Sequence, residues 1–494
     1  MTQSPKVSVC VATYNQGRYL RQALQSILNQ TLQDFEIVVS DDASTDDTSA
    51  IVAQVSADAP WARLHYVRQP HNLGIAENRN RCLALARGQY IGWLDSDDIY
   101  HPELLAVQSA VLDRHPQVGL AHSAYQVIDS AGRRLPDWPL PFAEDRIETG
   151  QTAFQELVLA NYITAPTVLV RRECHAQVGP YAPSVGRSST DWEMWLRIAL
   201  RADLAYTATP LAQYRQHTSS TSTTTSKSGE RLRCDIRAVQ LIFRQQRALI
   251  TDAATLQQRA AAALASKALF YAGDAFTLGQ RITALAAALQ GLRLFPPLLS
   301  SRHSWLLLRS ILAGDEYAHY HHAKALLGQL YTQLAVTRYG ERIRKVALVN
   351  PEWEQTLQAI ARTIQQVVPL DARVLIVDKY DPTLLHLSKR KGWHFPDRQL
   401  LPDGYPRNDA VAIQHLEQLK ARGAQHIVFP NAAFWWLDYY VEFRQYLEFS
   451  AQPLWSDEQC IIYRLPAWEA YGGTPVVGGR MNKGRKKGQN AIAD

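Results

Sequence analysis

Short apolar runs and amphipathic stretches alternate along the first part of the chain. Lys6 to Thr13 (KVSVCVAT) is mostly apolar and has the composition of a buried strand. Tyr14-Asn15-Gln16-Gly17 breaks it. Tyr19, Leu20, Ala23, Ile27 and Leu28 then recur at helical spacing, so a helix is expected to about Asn29. Phe35 to Ser40 reads as a second strand, Ser44-Thr45-Asp46 as a helix cap, and Leu64 to Val67 as a third strand. A helix over Ala76 to Ala86 and a fourth strand over Tyr90 to Leu94 follow. After Pro102 a helix ends near His115-Pro116, and Val118 to Ile128 is a strand.

Residues 134–150 are proline-rich and read as irregular. Thr164 to Val170 is a strand that Pro166 places at an edge or at its entry. Trp192 to Ala202 is an amphipathic helix, and Ala205 to Ala208 and Leu211 to Arg215 are two strands. The run Ser219–Ser228 has no apolar residue and reads as a mobile loop or linker. Strand and helix in alternation give a doubly wound parallel α/β sheet, whose ligands sit beyond the carboxyl ends of the strands. Thr13, Asp42 and Asp97 would then share one edge.

Residues 229–365 read as helical, with an Ala-rich segment from Ala260 to Ala272 and another helix from Ile282 to Leu294. The helix expected over Glu316 to Arg344 carries His319, His321 and His322 on what reads as a solvated face. A second, smaller Rossmann-like α/β domain follows. Its strands are Arg373 to Val377, His426 to Phe429 and Cys460 to Arg464; its helices are Ile413 to Arg422 and Phe434 to Phe449. Asp378-Lys379-Tyr380 stands where a cofactor-binding domain would carry a glycine-rich turn, so acceptor binding or assembly is expected instead of methyl transfer. The aromatic run from Phe434 to Tyr440 reads as core packing.

Composition changes this picture little. Apolar residues make up 46% and charged residues 20%, the balance of a globular protein. No run of 18 or more apolar residues predicts a spanning helix. Five scattered cysteines, without a CxxC pair, suit buried thiols in a reducing compartment. Of the net charge of +6, residues 472–494 carry +4, so a basic tail and not a basic domain raises the pI. That tail reads as disordered, with anionic lipid as a candidate contact and no specific nucleic acid.

Candidate chemistry concentrates after the fourth strand. Asp95, Asp97 and Asp98 fall within four residues, and three like charges so close repel one another. A divalent cation removes that cost, and ligation by carboxylate oxygens suits Mg²⁺ or Mn²⁺. Neither GxGxxG nor GxxxxGK[ST] follows the first strand, so phosphate must be held in some other way.

The series VSVCVATYN, DFEIVVSDDASTDDT, HNLGIAENRN, GQYIGWLDSDD, TDWEMW and YRQH, in that order over residues 6–220, resembles the family 2 glycosyltransferases of the GT-A fold. The resemblance implies a cytoplasmic, metal-dependent inverting enzyme, placed as a peripheral protein on the inner membrane face. Its donor would be a nucleoside-diphosphate sugar, a UDP-sugar first. Its acceptor would be a glycan or lipid-linked hydroxyl in surface-polysaccharide assembly. It implies Asp191 as catalytic base, with Glu193 as a weaker alternative. Thr13, Asp41, Asp42, Arg79, Asp95 and His217 would bind the donor, and Asp97 and Asp98 the Mn²⁺ or Mg²⁺.

The chain divides accordingly into a GT-A domain at 1–228, a helical region at 229–368, a Rossmann-like accessory domain at 369–468 and the tail at 469–494. Two rival readings are a nucleotidyltransferase, which would need a Gly- and Lys-rich triphosphate loop that TYNQGRYL lacks, and a nucleotide-sugar-binding scaffold without turnover.

Overall fold

The computed structural model describes residues 4–135, 141–217, 219–347, 351–378, 382–397, 405–406 and 408–467. The expected basic tail lies outside them, as do Lys379 and Tyr380.

Two sheets organise the described residues. The first contains β1 (Val7–Thr13), β2 (Phe35–Asp41), β3 (Arg63–Arg68), β4 (Tyr90–Trp93), β5 (Ile99–Tyr100), β6 (Val118–Ile128), β7 (Arg146–Glu148), β8 (Leu169–Arg171) and β9 (Asp203–Arg215). Their order is β3-β2-β1-β4-β8-β6-β9-β5, with β7 also on β9. The half from β3 to β4 is parallel, as expected from its alternation with helices. The other half is mixed, because β8 runs antiparallel to both its neighbours.

Register places the strand ends together. Thr13 lies opposite Asp41, and Cys10 opposite Trp93, so the chain leaves β1, β2 and β4 on one edge. Close approach enters at Gly88, just before β4, where a Cβ would stand 2.4 Å from the Ser8 backbone nitrogen. β5 pairs with β9 through Ile99–Gln213 and Tyr100–Ala212, which folds the acidic 95–98 turn back onto the end of β9.

Several local expectations need correction. Ser219–Ser228 is not a loop: Thr221–Lys227 is helical, with Ser220 Oγ accepting from Thr223 N at 3.2 Å. An apolar count misses this because the cap and the hydroxyls that bond back to earlier carbonyls, such as Thr225 Oγ1 to Thr221 O at 2.6 Å, are polar. Pro166 sits in a single 3₁₀ turn at the entry of β8, the second of the two places expected for it, and the strand itself is internal. The two strands expected between Ala205 and Arg215 are one, with register irregularities against β6. β7 gives order to part of the proline-rich segment. The helix expected over Glu316 to Arg344 divides into Glu316–Leu334 and Arg338–Ala347, and that over Phe434 to Phe449 into Trp435–Tyr439 and Val441–Ser450.

The helical region shares its core with the first sheet. Trp192, Trp195 and Phe154 belong to the same buried cluster as Leu232, Ala263 and Leu269. Small residues permit the approach of Ala253–Thr277 to Arg281–Leu294: a Cβ at Gly291 would lie 3.1 Å from Ala265 O. His319 is buried and stacks on Phe276 at 4.4 Å and His322 is half-buried, so of the three histidines only His321 is exposed as expected. Among the described residues no group of three metal-ligating side chains converges, and no helix is long and apolar enough to cross a membrane.

The second sheet has β10 (Arg373–Val377), β11 (Lys391–Phe395), β12 (His426–Pro430), β13 (Gln452–Ser456) and β14 (Cys460–Arg464). Its order is β11-β10-β12-β14-β13, parallel through the first three strands and antiparallel beyond. Trp436 and Tyr440 are buried in its core, while Trp435 and Tyr439 are half-buried. Each of the five cysteines is buried and free.

Candidate active site

A cavity of about 1670 Å³ opens between the first sheet, the helical region and the second domain. Asp95, Asp191 and His217 all line it, although they come from three separate parts of the chain. β4 ends two residues before Asp95, Asp191 lies in the first turn of the helix Thr190–Ala199, and His217 follows β9.

His217 Nε2 lies 2.8 Å from Asp97 Oδ2, and its Nδ1 lies 3.0 Å from Ser219 Oγ. The ring also packs on Tyr19 at 4.8 Å. Asp98 turns the other way. Its Oδ1 accepts from Arg215 N at 2.7 Å, while its buried Oδ2 has no hydrogen-bond partner. Burial first, then the charges of Asp97 and Asp95, push its pKa well above the carboxylate range. Arg215, the second residue of the YRQH motif, is a positioning residue. Its guanidinium donates to the carbonyls of Asp97 (2.7 Å) and Asp129 (3.1 Å) and to Gln22 Oε1 (2.8 Å), which fixes the acidic turn beneath His217.

Arg79 is buried and donates to Asp95 Oδ1 at 2.9 Å, with Nη1 3.5 Å from Thr190 Oγ1. Burial opposes its charge, but Asp95, Tyr181 and Asp191 outweigh that and raise its pKa above the ordinary arginine value. Asp95 itself is raised, by burial first, then by Asp97 against the opposing pull of Arg79. Trp93 and Tyr181 wall the guanidinium at 5.9 and 5.6 Å.

Asp191 occupies the first turn without serving as the cap residue; Ser189 holds that place with a left-handed φ of 63°. No hydrogen bond to the Asp191 carboxylate comes from the described residues, so it faces the cavity able to accept a proton. Glu193 is different. It is buried and pairs with Arg197 through two contacts of 2.8 Å, so it is neither a solvated first-turn acid nor an accessible base.

Thr13, Asp41 and Asp42 lie at the shared strand edge but do not line this cavity. Thr13 Oγ1 is buried without a hydrogen-bond partner. Asp41 accepts from Ser44 N at 2.8 Å and Tyr66 OH at 2.7 Å. Asp42 accepts from Leu73 N at 2.6 Å and Gly74 N at 2.9 Å, and so shapes the turn before the Arg79 helix. Sequence reasoning missed the half-buried Arg231 and the exposed Arg342 on the cavity wall, because no motif of the catalytic sheet extends into the helical region.

A family model described as glycosyl transferase family 2 matches residues 8–178. An uncharacterized protein of Mycobacterium tuberculosis is 32% identical over 237 residues, 44% of this chain and 70% of that protein. A putative glycosyltransferase, EpsE, of Bacillus subtilis is 36% identical over 145 residues, 28% of this chain and 52% of that protein. The chondroitin synthase of Escherichia coli is 33% identical over 139 residues, 28% of this chain and 20% of that protein. Strand-end carboxylates, the sheet that carries them and these matches together make the chain a member of glycosyl transferase family 2, a glycosyltransferase of the GT-A fold.

Proposed function

We propose that this protein is a metal-dependent, inverting glycosyltransferase that moves a sugar from a nucleoside diphosphate, UDP first, to a hydroxyl of a glycan or lipid-linked acceptor. The observation that carries this is the shared cavity: Asp191 faces it with no hydrogen bond from the described residues, while Asp95 and His217, which holds Asp97 at 2.8 Å behind it, line the donor side. Asp191 takes the proton of the acceptor hydroxyl as that oxygen attacks the anomeric carbon from the face opposite the diphosphate. Arg79 fixes Asp95 for the donor. The unpartnered Thr13 hydroxyl and the outer lone pairs of Asp42 are the contacts we assign to the nucleoside, with Asp41 supporting from behind. The chondroitin synthase relative fits a role in polysaccharide assembly.

The donors present fit a hard divalent cation. Asp97 and His217 offer an oxygen and a nitrogen 2.8 Å apart, while Asp98 is turned away from this pair toward the Arg215 backbone and its free oxygen is buried. So few protein ligands suit Mg²⁺ or Mn²⁺, which keep sites for water and substrate phosphate. When bound, such an ion supplies positive charge against the charge developing on the departing diphosphate. The test is transfer and donor binding measured on the wild type and Asp191→Asn with a panel of nucleotide sugars. The proposal expects donor binding to persist and transfer to collapse; full transfer by Asp191→Asn would remove the base assignment.

A further inference from the structure

The cavity is larger than a donor needs. Its volume of about 1670 Å³ exceeds the roughly 300–1,000 Å³ that encloses a drug-sized ligand. Much of its wall comes from outside the family 2 match, including Arg231, Tyr271, Tyr339 and Arg342 of the helical region and Tyr405 and Gln414 of the second domain. The second substrate therefore meets side chains that the catalytic motifs do not specify.

Charge accounting singles out one of them. Three of the acids lining the cavity are already paired: Asp95 with Arg79, Asp129 with Arg133 and Glu156 with Arg338. Arg18, Arg231, Arg233 and Arg342, in contrast, make no hydrogen bond or ion pair with the described residues, and of these four only Arg231 is half-buried, the others being exposed. Arg231 is half-buried at the start of the helix Glu230–Gln245, where an unpaired guanidinium is costly to desolvate. Asp235, the acid on its own helix, is committed elsewhere: Oδ1 accepts from Ser189 Oγ at 2.6 Å and Oδ2 pairs with Lys267 Nζ at 3.0 Å. The remaining polar groups within electrostatic range are Tyr271, Tyr214 and Asp191. Arg342 acts on Tyr125, whose ring lies 6.0 Å from that of Tyr214. Arg231 and Arg342 thus flank one tyrosine pair, Tyr125 and Tyr214, on the wall that also carries Asp191.

We infer that the acceptor is anionic, and that Arg231, supported by Arg342, receives its phosphate or carboxylate and so presents a neighbouring hydroxyl to Asp191. This assignment rests on Asp191 being the base, and its test is separable because it reads binding and not transfer. A planar guanidinium suits both anions through paired hydrogen bonds. Neutral glycans would lack this anchor.

The experiment loads the full chain with UDP and Mn²⁺ and titrates in glycerol 1-phosphate, methyl glucuronide and neutral methyl glucoside by calorimetry. Expected are binding of one or both charged probes, none of the neutral one, and a loss of about tenfold or more in Arg231→Ala with partial retention in Arg231→Lys. The preferred charged probe tells phosphate from carboxylate. UDP affinity should not change in either variant, and matching melting temperatures exclude misfolding. Absence of charged-probe binding to the wild type, equal binding of charged and neutral probes, or unchanged binding by Arg231→Ala would overturn the inference. So would weakened UDP binding in Arg231→Ala, which would place the guanidinium on the donor. Failure of Asp191→Asn to lose transfer, with anion binding intact, would count against the base and not against this site.

Discussion

Arg79 donates to Asp95 across 2.9 Å while its other terminal nitrogen reaches Thr190, so one buried guanidinium joins the donor-side acid to the helix that carries Asp191. Removing it leaves a partly buried carboxylate without its cation. Arg79→Leu is expected to cost about 3 kcal/mol of stability, the lower end for a broken buried pair because Asp95 reaches the cavity. Denaturant melts check this. Arg79→Lys keeps the charge but not the fork and should fall between the two.

Asp191 and Glu193 share a helix turn but not a fate. Asp191→Asn should lower transfer by roughly 10²–10⁴-fold, the scale of general-base catalysis, with an unchanged melting temperature. Glu193→Gln should do the reverse. It breaks the buried pair with Arg197, lowering stability by about 3–5 kcal/mol, while the activity of the folded fraction survives. Parallel melts and rate assays distinguish the two.

Metal removal has a specific expectation. A chelator should abolish transfer, and Mn²⁺ or Mg²⁺ should restore it. Because His217 stands on Asp97, His217→Ala should raise the Mn²⁺ concentration for half-maximal activity by roughly 10–100-fold. A metal titration that is the same for both proteins would remove His217 from the cation site.

Acid should unfold the protein from an early pH. Burial holds His122 and His175 down at about 3, and His319, His415 and His426 at about 4. Each folded value lies below the ordinary value of about 6.5. The unfolded chain therefore binds protons that the folded chain refuses. Stability is full above about 6.5 and falls as pH drops, by up to about 1.4 kcal/mol per pH unit for each histidine. Melting temperatures at about pH 7.5 and about pH 5 should differ accordingly, and less so in His122→Phe.

His394 predicts the opposite slope at the alkaline side. It is buried between Asp378 at 2.8 Å and Glu316 at 3.4 Å, which joins the second sheet to the helical region. Burial alone would lower its pKa, but the two acids raise it to about 10. Its contribution is complete below about 6.5 and is lost as pH rises from there to about 10. His394→Gln should remove this alkaline loss, as read by melts across the range.

The chain by itself determined the strands whose apolar runs end in carboxylates, the order of the motifs and the acids Asp95, Asp97 and Asp191. Those signals are local: each depends on side chains within one strand or helix turn, where spacing fixes the face. It did not disclose that Asp97 would meet His217 across 120 positions, because that contact follows from the pairing of β5 with β9. It ranked Asp191 above Glu193 as the base but could not show that Glu193 is withdrawn, since only packing decided which of the two found Arg197. The Ser/Thr helix, and Arg231 without an ion pair among the described residues, were hidden for a related reason. Polar residues carry no hydrophobic period, and whether a cation is paired depends on what the rest of the fold brings within hydrogen-bond reach.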